Sequence, residues 1–204
     1  MKKMMIMICI MTCSILHGSE LMLSPKVIYS LPQLVRMCDL AGIGKITAVD
    51  GRTAIYDGRV VPVDGWDVSI ELMSVWYGES LSNVTVRMGS ELPSSPPATN
   101  SICVVIAATN QWDIYSANIC GWDYMANPEL WEGDPEEIYT GYRLESGMNS
   151  LFPTNGNAEA VLFTSNLVNV AKIGPDKTAF YHLLRDGVTN SSERVRMDSY
   201  NFAS

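Results

Sequence analysis

The sequence predicts a mostly β protein, built as a small closed or partly open β-barrel with a short helix before it and a second helix near the C-terminus. About seven short strands, recognised by alternating or continuous apolar residues, are separated by Asp-Gly, Gly and Pro turn signals. Gly44 falls in the middle of the first strand, where the missing side chain suits the sharp coiling of a small barrel. The chain has no internal repeat and no heptad pattern.

Residues 1–19 have the order of a secretory signal peptide. Lys2 and Lys3 precede an apolar run over residues 4–11, and small residues suited to cleavage follow it. The run is far shorter than the about 20 apolar residues that span a bilayer, so no transmembrane anchor is expected. We expect cleavage between residues 14 and 19 and export to the periplasm, the cell surface or the medium. The alternative is a lipobox that ends at Cys13 and leaves this cysteine acylated.

The part of the chain after the leader is predicted to be one acidic domain over residues 20–187, followed by a loosely held tail over residues 188–204. The full chain carries a net charge of −8, and loss of the two leader lysines makes it more negative by two units. Roughly 185 residues suffice for one hydrophobic core. Nucleic acid is excluded as a partner because its binding requires a basic surface.

A short helix over residues 30–38 is the first predicted element. Ser30 is a suitable N-cap and Pro32 is tolerated in the first helical turn. One apolar stripe follows at helical spacing, formed by Leu31, Leu34, Val35 and Cys38. A strand over residues 40–49 comes next, in which Gly42 and Gly44 face the same side and indicate close packing or a bend.

The remaining strands are predicted from alternation and from the turn residues between them. Turns are expected at Asp50-Gly51, Asp57-Gly58 and Asp64-Gly65, and the second of these forms a hairpin. The predicted strands cover residues 52–56, 59–63, 67–77, 84–88, 102–108, 115–120 and 158–164. Residues 125–148 are expected to be a loop excursion, and residues 176–185 a helix capped by Asp176.

Several of these segments resemble the barrel of secreted OB-fold proteins. The similar stretches are residues 40–49 (LAGIGKITAV) with the helix before them, 71–79 (ELMSVWYGE), 84–86 and 103–106. The family is the one shared by tissue inhibitors of metalloproteinases, netrin-type modules and bacterial exported proteins, and the resemblance covers about residues 31–125. It implies an OB-like barrel. It does not imply inhibition, because those inhibitors bind zinc through an N-terminal cysteine and neither expected cleavage site provides one.

Three cysteines remain after the leader: Cys38, Cys103 and Cys120. Sequence alone allows three pairings in an oxidising compartment. We prefer a Cys103–Cys120 disulfide because these residues lie in successive predicted strands, and we expect Cys38 to be buried as a small apolar side chain. The mature chain keeps only His182, so neither a metal site nor a cofactor is predicted.

Residues 88–142 form an acidic aromatic segment, defined by its composition. It contains eight carboxylates, seven Trp and Tyr residues and no Lys or Arg. The candidate binding surface within it consists of Trp112, Trp122, Tyr124 and Trp131. Trp and Tyr are enriched in protein contacts, so a protein partner is favoured over a carbohydrate, while a solvated acidic face around aromatic residues that cover the barrel end is the structural alternative.

No pattern of catalytic residues stands out. His182 lies in a predicted helix, and neither a Gly-x-Ser-x-Gly elbow nor a Cys-His pairing is present. We therefore predict a non-enzymatic exported module that acts in binding or in envelope structure. The alternative is a hydrolase or protease-inhibitor-like protein acting on extracellular polymers. An aromatic cleft with two close acids would favour that alternative, and a flat aromatic patch would favour protein contact.

Overall fold

The computed structural model describes residues 29–88, 96–109, 131–132, 141–144 and 150–203. The predicted leader and the predicted strand over residues 115–120 lie outside these residues. The elements in chain order are α1 (Leu31–Met37), β1 (Leu40–Tyr56), β2 (Arg59–Tyr77), β3 (Asn83–Met88), β4 (Ile102–Ala107), β5 (Trp131–Glu132), β6 (Tyr142–Leu144), β7 (Leu151–Pro153), α2 (Ala158–Val168), a π-helical turn (Asn169–Ile173), α3 (Lys177–Gly187) and α4 (Glu193–Ala203).

Six strands form a curled half-barrel in the order β6-β3-β2-β1-β4-β7, and helices lie at both ends of the chain. The pair β3–β6 is parallel, and the other neighbours are antiparallel. Ala108 and Arg143 form an isolated bridge next to β4 and β6. β5 pairs with the end of β1, where Trp131 lies opposite Tyr56. The β-rich barrel expected from the sequence is therefore present in outline, within a mixed helix and sheet architecture.

β1 and β2 are much longer than the sequence predicted. The hairpin turn at Asp57-Gly58 is confirmed, and both residues have positive φ, as a tight two-residue turn requires. The predicted turns at Asp50-Gly51 and Asp64-Gly65 are wrong, because both dipeptides lie inside continuous strands. The backbones of β1 and β2 pair along both strands. At the irregular positions the register of this pairing shifts, and the chain does not turn.

Gly42 confirms the close packing that its position predicted. A Cβ atom at Gly42 would collide with the backbone carbonyl oxygen of Ser74 on β2. The ladder between β1 and β2 shifts register at Ala41/Gly42 and again at Ile43/Gly44, where the strand bends. These two glycines therefore allow β1 to curl tightly against β2.

The core has two parts on the two faces of the sheet. Inside the half-barrel, alternate side chains pack together: Leu40, Ile46, Val68, Ile70, Val84, Val86, Met88, Cys103, Val105, Ala107, Leu144 and Leu151. On the other face Ala41, Val104, Ile106 and Phe152 pack against the helices. β4 contributes to both parts, which explains its uninterrupted apolar sequence.

The helical layer is larger than predicted. Residues 158–164, predicted as a strand, belong to α2, whose buried positions Ala160, Phe163, Thr164, Leu167 and Val168 follow helical spacing. The helix near residue 180 is confirmed as α3, and the Asp176 side chain accepts a hydrogen bond of 3.0 Å from the Ala179 N–H. Gly187, at the end of α3, packs so closely that a Cβ there would collide with Ser199 Oγ of α4.

The tail predicted over residues 188–204 is packed, not loosely held, over its described residues 188–203. It contains α4, where Val195 and Ser199 are fully buried and Asp198 is 7% exposed. Asp198 Oδ1 accepts a hydrogen bond of 3.2 Å from the Leu31 N–H at the start of α1. The Arg194 guanidinium lies 3.9 Å from the centre of the Phe152 ring. These contacts fasten α4 to α1 and to β7, and they involve residues too distant in sequence for a local pattern to reveal.

Asp198 makes the stability of this helical layer dependent on pH. Burial raises the pKa of the Asp198 carboxyl above its ordinary value, against the smaller opposing effects of the Leu31 N–H and Arg194. Protonated Asp198 therefore makes its full contribution to stability below about pH 4, the pKa of this carboxyl in the unfolded chain. The contribution is lost as the pH rises through the higher pKa that the carboxyl has in the folded protein. We expect the free energy of unfolding of the wild type, relative to Asp198→Asn, to decrease as the pH rises.

Urea unfolding of both proteins between pH 3 and pH 8 measures this difference. Asp186→Asn is the matched control, because the Asp186 side chain is 69% exposed on the neighbouring helix. A difference between wild type and Asp198→Asn that grows as the pH rises would contradict the prediction.

Candidate functional site

A cleft of about 700 Å³ opens at one end of the half-barrel, and we call it the barrel-end cleft. Its volume lies within the range of about 300–1,000 Å³ that is usual for ligand sites. It forms where β1 begins, β2 ends, β4 ends and β6 begins. It is lined by Asp39, Trp76, Tyr77, Gly78, Glu79, Thr109, Tyr142 and Ile173. Three aromatic rings and two carboxylates thus share one concave surface.

Asp39 is held in place by hydrogen bonds across the mouth of the barrel. Its Oδ2 atom accepts a bond of 2.8 Å from the Thr109 N–H and one of 2.7 Å from the Thr109 hydroxyl. The Asp39 N–H donates to the Ala107 carbonyl oxygen at 2.9 Å. This carboxylate therefore joins the start of β1 to the end of β4 and has one oxygen committed to that link.

The end of β2 brings the aromatic and acidic side chains of the cleft together. Gly78 has a φ of 100°, a conformation that disfavours other residues, and a Cβ there would collide with the Asp39 carbonyl oxygen. The backbone conformation of Gly78 turns the chain after Trp76 and Tyr77 and places Glu79 at the rim of the cleft. The sequence Trp-Tyr-Gly-Glu thus requires glycine in its third position.

Tyr142, the first residue of β6, also lines the cleft. Partial burial raises the pKa of its phenol, and the negative charges of Glu79 and Asp39 raise it further. The two carboxylates thus act on the same space as the Tyr142 hydroxyl.

The π-helical turn directs Lys172 towards this end of the barrel. The Lys172 ammonium donates a hydrogen bond of 2.8 Å to the Cys38 carbonyl oxygen and lies 5.0 Å from the centre of the Tyr77 ring. Ile173, the last residue of the turn, is 59% exposed and lines the cleft. Short π-helical segments occur frequently at functional sites, and this one carries two residues to the barrel-end cleft.

The residues predicted for binding are only partly described. Trp112, Trp122 and Tyr124 lie outside the described residues, whereas Trp131 is paired with Tyr56 at the far end of β1 from the cleft. Thr109 and Tyr142 lie at the points where the chain leaves the cleft and returns to it, with most of the acidic aromatic segment between them. Tyr142 itself belongs to that segment, so one of its aromatic residues lines the cleft.

Sequence reasoning missed the other members of the cleft. Trp76 and Tyr77 fall at the end of the predicted strand over residues 67–77, and Asp39 lies between the predicted helix and the first predicted strand. The available signal was the Gly78 turn beside two aromatic residues and an acid. Nothing in the local sequence could place Asp39 and Tyr142 next to that turn, because they are brought there by the strand pairing.

Neither of the two cysteines that the structure describes, Cys38 and Cys103, is a reactive thiol. Cys38 is buried, as predicted, and burial raises the pKa of its thiol to about 11, while the thiol donates to the Val35 carbonyl oxygen at 3.2 Å. Cys103 is buried inside the half-barrel with a raised pKa of the same cause. No disulfide joins two described residues. Cys120 lies outside them, so the Cys103–Cys120 bond stays a prediction.

A second cavity of about 340 Å³ lies in the helical layer, beside the same π-helical turn. Arg36, Lys177 and Tyr181 contribute to its lining together with Asp176, which is committed to capping α3. Its mixed charges select no single ligand chemistry. The barrel-end cleft is therefore the stronger candidate site.

Searches for similar proteins return no match among protein-family models, curated proteins or solved structures. Within the described ranges, no group of three or more His, Cys, Asp or Glu side chains could hold a metal ion. In the same part of the chain, no helix combines the length and the apolar character needed to cross a membrane.

Proposed function

We propose that this protein is an exported, non-enzymatic binding module whose ligand occupies the barrel-end cleft. The observation that carries the proposal is the convergence of three aromatic rings and two carboxylates on one open cleft. Such convergence of apolar and polar groups is typical of ligand sites. The leader predicted over residues 1–19 supports export, and an acidic chain supports partners other than nucleic acid.

The strand pairing supports an OB-like barrel as the scaffold. β1, β2 and β3 form a meander, β3 pairs in parallel with β6, and β4 pairs with β1 and approaches β6 at the Ala108–Arg143 bridge. OB folds are five-stranded Greek-key barrels that bind ligands on their second and third strands and on two loops. The corresponding connections in this chain are the Asp57-Gly58 hairpin and residues 109–141, which contain Trp112, Trp122, Tyr124 and Trp131.

A hydrolase of extracellular polymers is the second candidate, because the cleft does contain two acids. Glycosidases need one carboxyl group as acid or base and a second as nucleophile or base. Asp39 instead uses one oxygen to hold Thr109, which favours a structural role. We therefore expect no release of reducing ends from chitin, cellulose or peptidoglycan. Release that is abolished in Glu79→Gln would establish the hydrolase.

Titration of the mature protein with soluble probes, followed by amide NMR, tests the binding function. The probes are an acetylated tetralysine amide, the matching tetraglutamate peptide and chitotetraose. We expect at least one probe to shift the amide signals of Asp39, Gly78 and Thr109 while leaving that of Leu162, exposed on α2, unchanged. If none of the three probes shifts the amide signals of Asp39, Gly78 and Thr109, the proposal is contradicted.

Three tryptophan variants test whether the predicted surface contributes. We expect at least one of Trp112→Ala, Trp122→Ala and Trp131→Ala to weaken binding of the responsive probe and to change the free energy of unfolding by less than about 0.5 kcal/mol, as exposed positions do. Thermal unfolding and probe titration are measured on the same three proteins. A loss of about 3–5 kcal/mol in every variant would instead show that these rings cover the core.

A further inference from the structure

Building on the proposed binding function, we infer that the barrel-end cleft receives a lysine or arginine side chain from a basic segment of a partner polypeptide. The cationic group would lie among the rings of Trp76, Tyr77 and Tyr142, with Glu79 at the rim as its counter-charge. The inference goes beyond binding in general because it names the charge, the side-chain type and the class of the ligand.

The first support is the charge of the lining. Of the eight lining residues two are acidic and none is basic, and the Lys172 ammonium at the edge of the cleft is held by the Cys38 carbonyl oxygen and the Tyr77 ring. An anionic ligand would be repelled, while a cationic one would be attracted during approach and would be held more weakly at high salt.

The second support is the ammonium group of Lys172, which the protein itself places at the edge of the cleft. The Lys172 ammonium lies 5.0 Å from the centre of the Tyr77 ring, within the about 6 Å over which cations are attracted to aromatic faces. It also donates to the Cys38 carbonyl oxygen at 2.8 Å. One edge of the cleft therefore binds an ammonium group by ring and oxygen contacts. The remaining rings and carboxylates offer the same chemistry to a second cation.

The third support concerns the class of partner. Arg, Trp and Tyr are the residues that most often dominate the energy of protein interfaces, and an Arg or Lys from one side commonly packs on rings from the other. A neutral oligosaccharide would use the rings for stacking but would gain no charge attraction from Asp39 and Glu79. A polypeptide with clustered basic residues uses both features.

The test is a titration of the mature protein with the acetylated tetralysine amide, with the same peptide acetylated on every lysine as the neutral control. We expect saturable binding of the charged peptide, loss of that binding with the neutral peptide, and weakening as salt is raised. Glu79→Gln should weaken binding about three- to fivefold, which is the effect of one partly exposed ion pair. Glu71→Gln, an exposed carboxylate elsewhere on β2, should leave it unchanged.

Lys172→Gln is expected to change the affinity for the charged peptide in the opposite direction from Glu79→Gln. Glutamine keeps a donor for the Cys38 carbonyl oxygen and removes the internal positive charge, so the charged peptide should bind more tightly. Tighter binding cannot come from damage to the fold. Weaker binding in this variant, or equal loss in Glu79→Gln and Glu71→Gln, would overturn the inference.

Titrations with the other probes distinguish failure of this inference from failure of the proposed function. Chitotetraose that shifts the cleft signals while the tetralysine peptide does not would leave a binding module but with a carbohydrate ligand. Spermidine that binds more tightly than the peptide would replace the polypeptide with a free polyamine. If no probe affects the cleft, the proposed function fails together with the inference.

Discussion

Replacement of Phe152 by alanine is expected to lower the free energy of unfolding by about 3–5 kcal/mol, the range observed for deleting a buried aromatic ring. Phe152 is 1% exposed and belongs to the cluster that joins the sheet to the helices. Its ring also lies under the Arg194 guanidinium, at 3.9 Å. The variant therefore leaves a cavity and removes the aromatic partner of a largely buried cation.

Urea unfolding measures the loss, and Leu162→Ala is the matched control. Leu162 is 62% exposed on α2, so its truncation should cost less than about 0.5 kcal/mol. Equal effects in the two variants would show that Phe152 does not join the two layers. A shift in the unfolding slope as well as the midpoint would indicate that unfolding is no longer two-state or that the compactness of the unfolded chain has changed.

Gly42→Ala is expected to destabilise the protein by about 3 kcal/mol, at the upper end of the usual cost of overpacking. The added Cβ would collide with the carbonyl oxygen of Ser74, a backbone atom held in the adjacent strand. A flexible side chain could move aside, but a paired backbone carbonyl can do so only if the ladder between β1 and β2 opens. The curl of β1 would then be lost.

Gly51→Ala is the control in the same strand. No atom lies within 4 Å of a Cβ added at Gly51. The substitution should therefore be neutral or should stabilise the fold by up to about 1 kcal/mol, because alanine reduces the freedom of the unfolded chain. Thermal and urea unfolding of both variants measure the contrast. Similar stabilities for the two alanine variants would refute close packing at Gly42.

The elements predicted correctly are those specified by neighbouring residues. The Asp57-Gly58 hairpin depends on two adjacent residues that tolerate positive φ. α1 starts after Ser30, where Gln33 Oε1 accepts a hydrogen bond of 2.8 Å from the Ser30 N–H, and α3 starts after the Asp176 cap. These hydrogen bonds span no more than three residues. Their sequence patterns could therefore be recognised without knowledge of the fold.

The incorrect predictions concern segments whose conformation depends on distant partners. Residues 158–164 form a short apolar run that suits either a strand or a helix, and packing against α1 and the sheet selects the helix. α4 has a polar sequence, yet its Val195 is fully buried, and Asp198 and Arg194 connect the helix to α1 and Phe152. Asp50-Gly51 remains extended because Asp67 and Trp66 of β2 pair with these two residues.

Composition, alternation and turn chemistry were enough to predict a β-rich fold, the helices α1 and α3 and the Asp57-Gly58 hairpin, since strand character, helix caps and turn residues are properties of a few neighbouring residues. The barrel-end cleft depends on tertiary structure. Asp39, Trp76, Thr109 and Tyr142 meet there because antiparallel and parallel pairing brings one end of each of four strands to the same side of the barrel. Pairing of that kind is set by the free energy of the whole sheet, and no local pattern contains it.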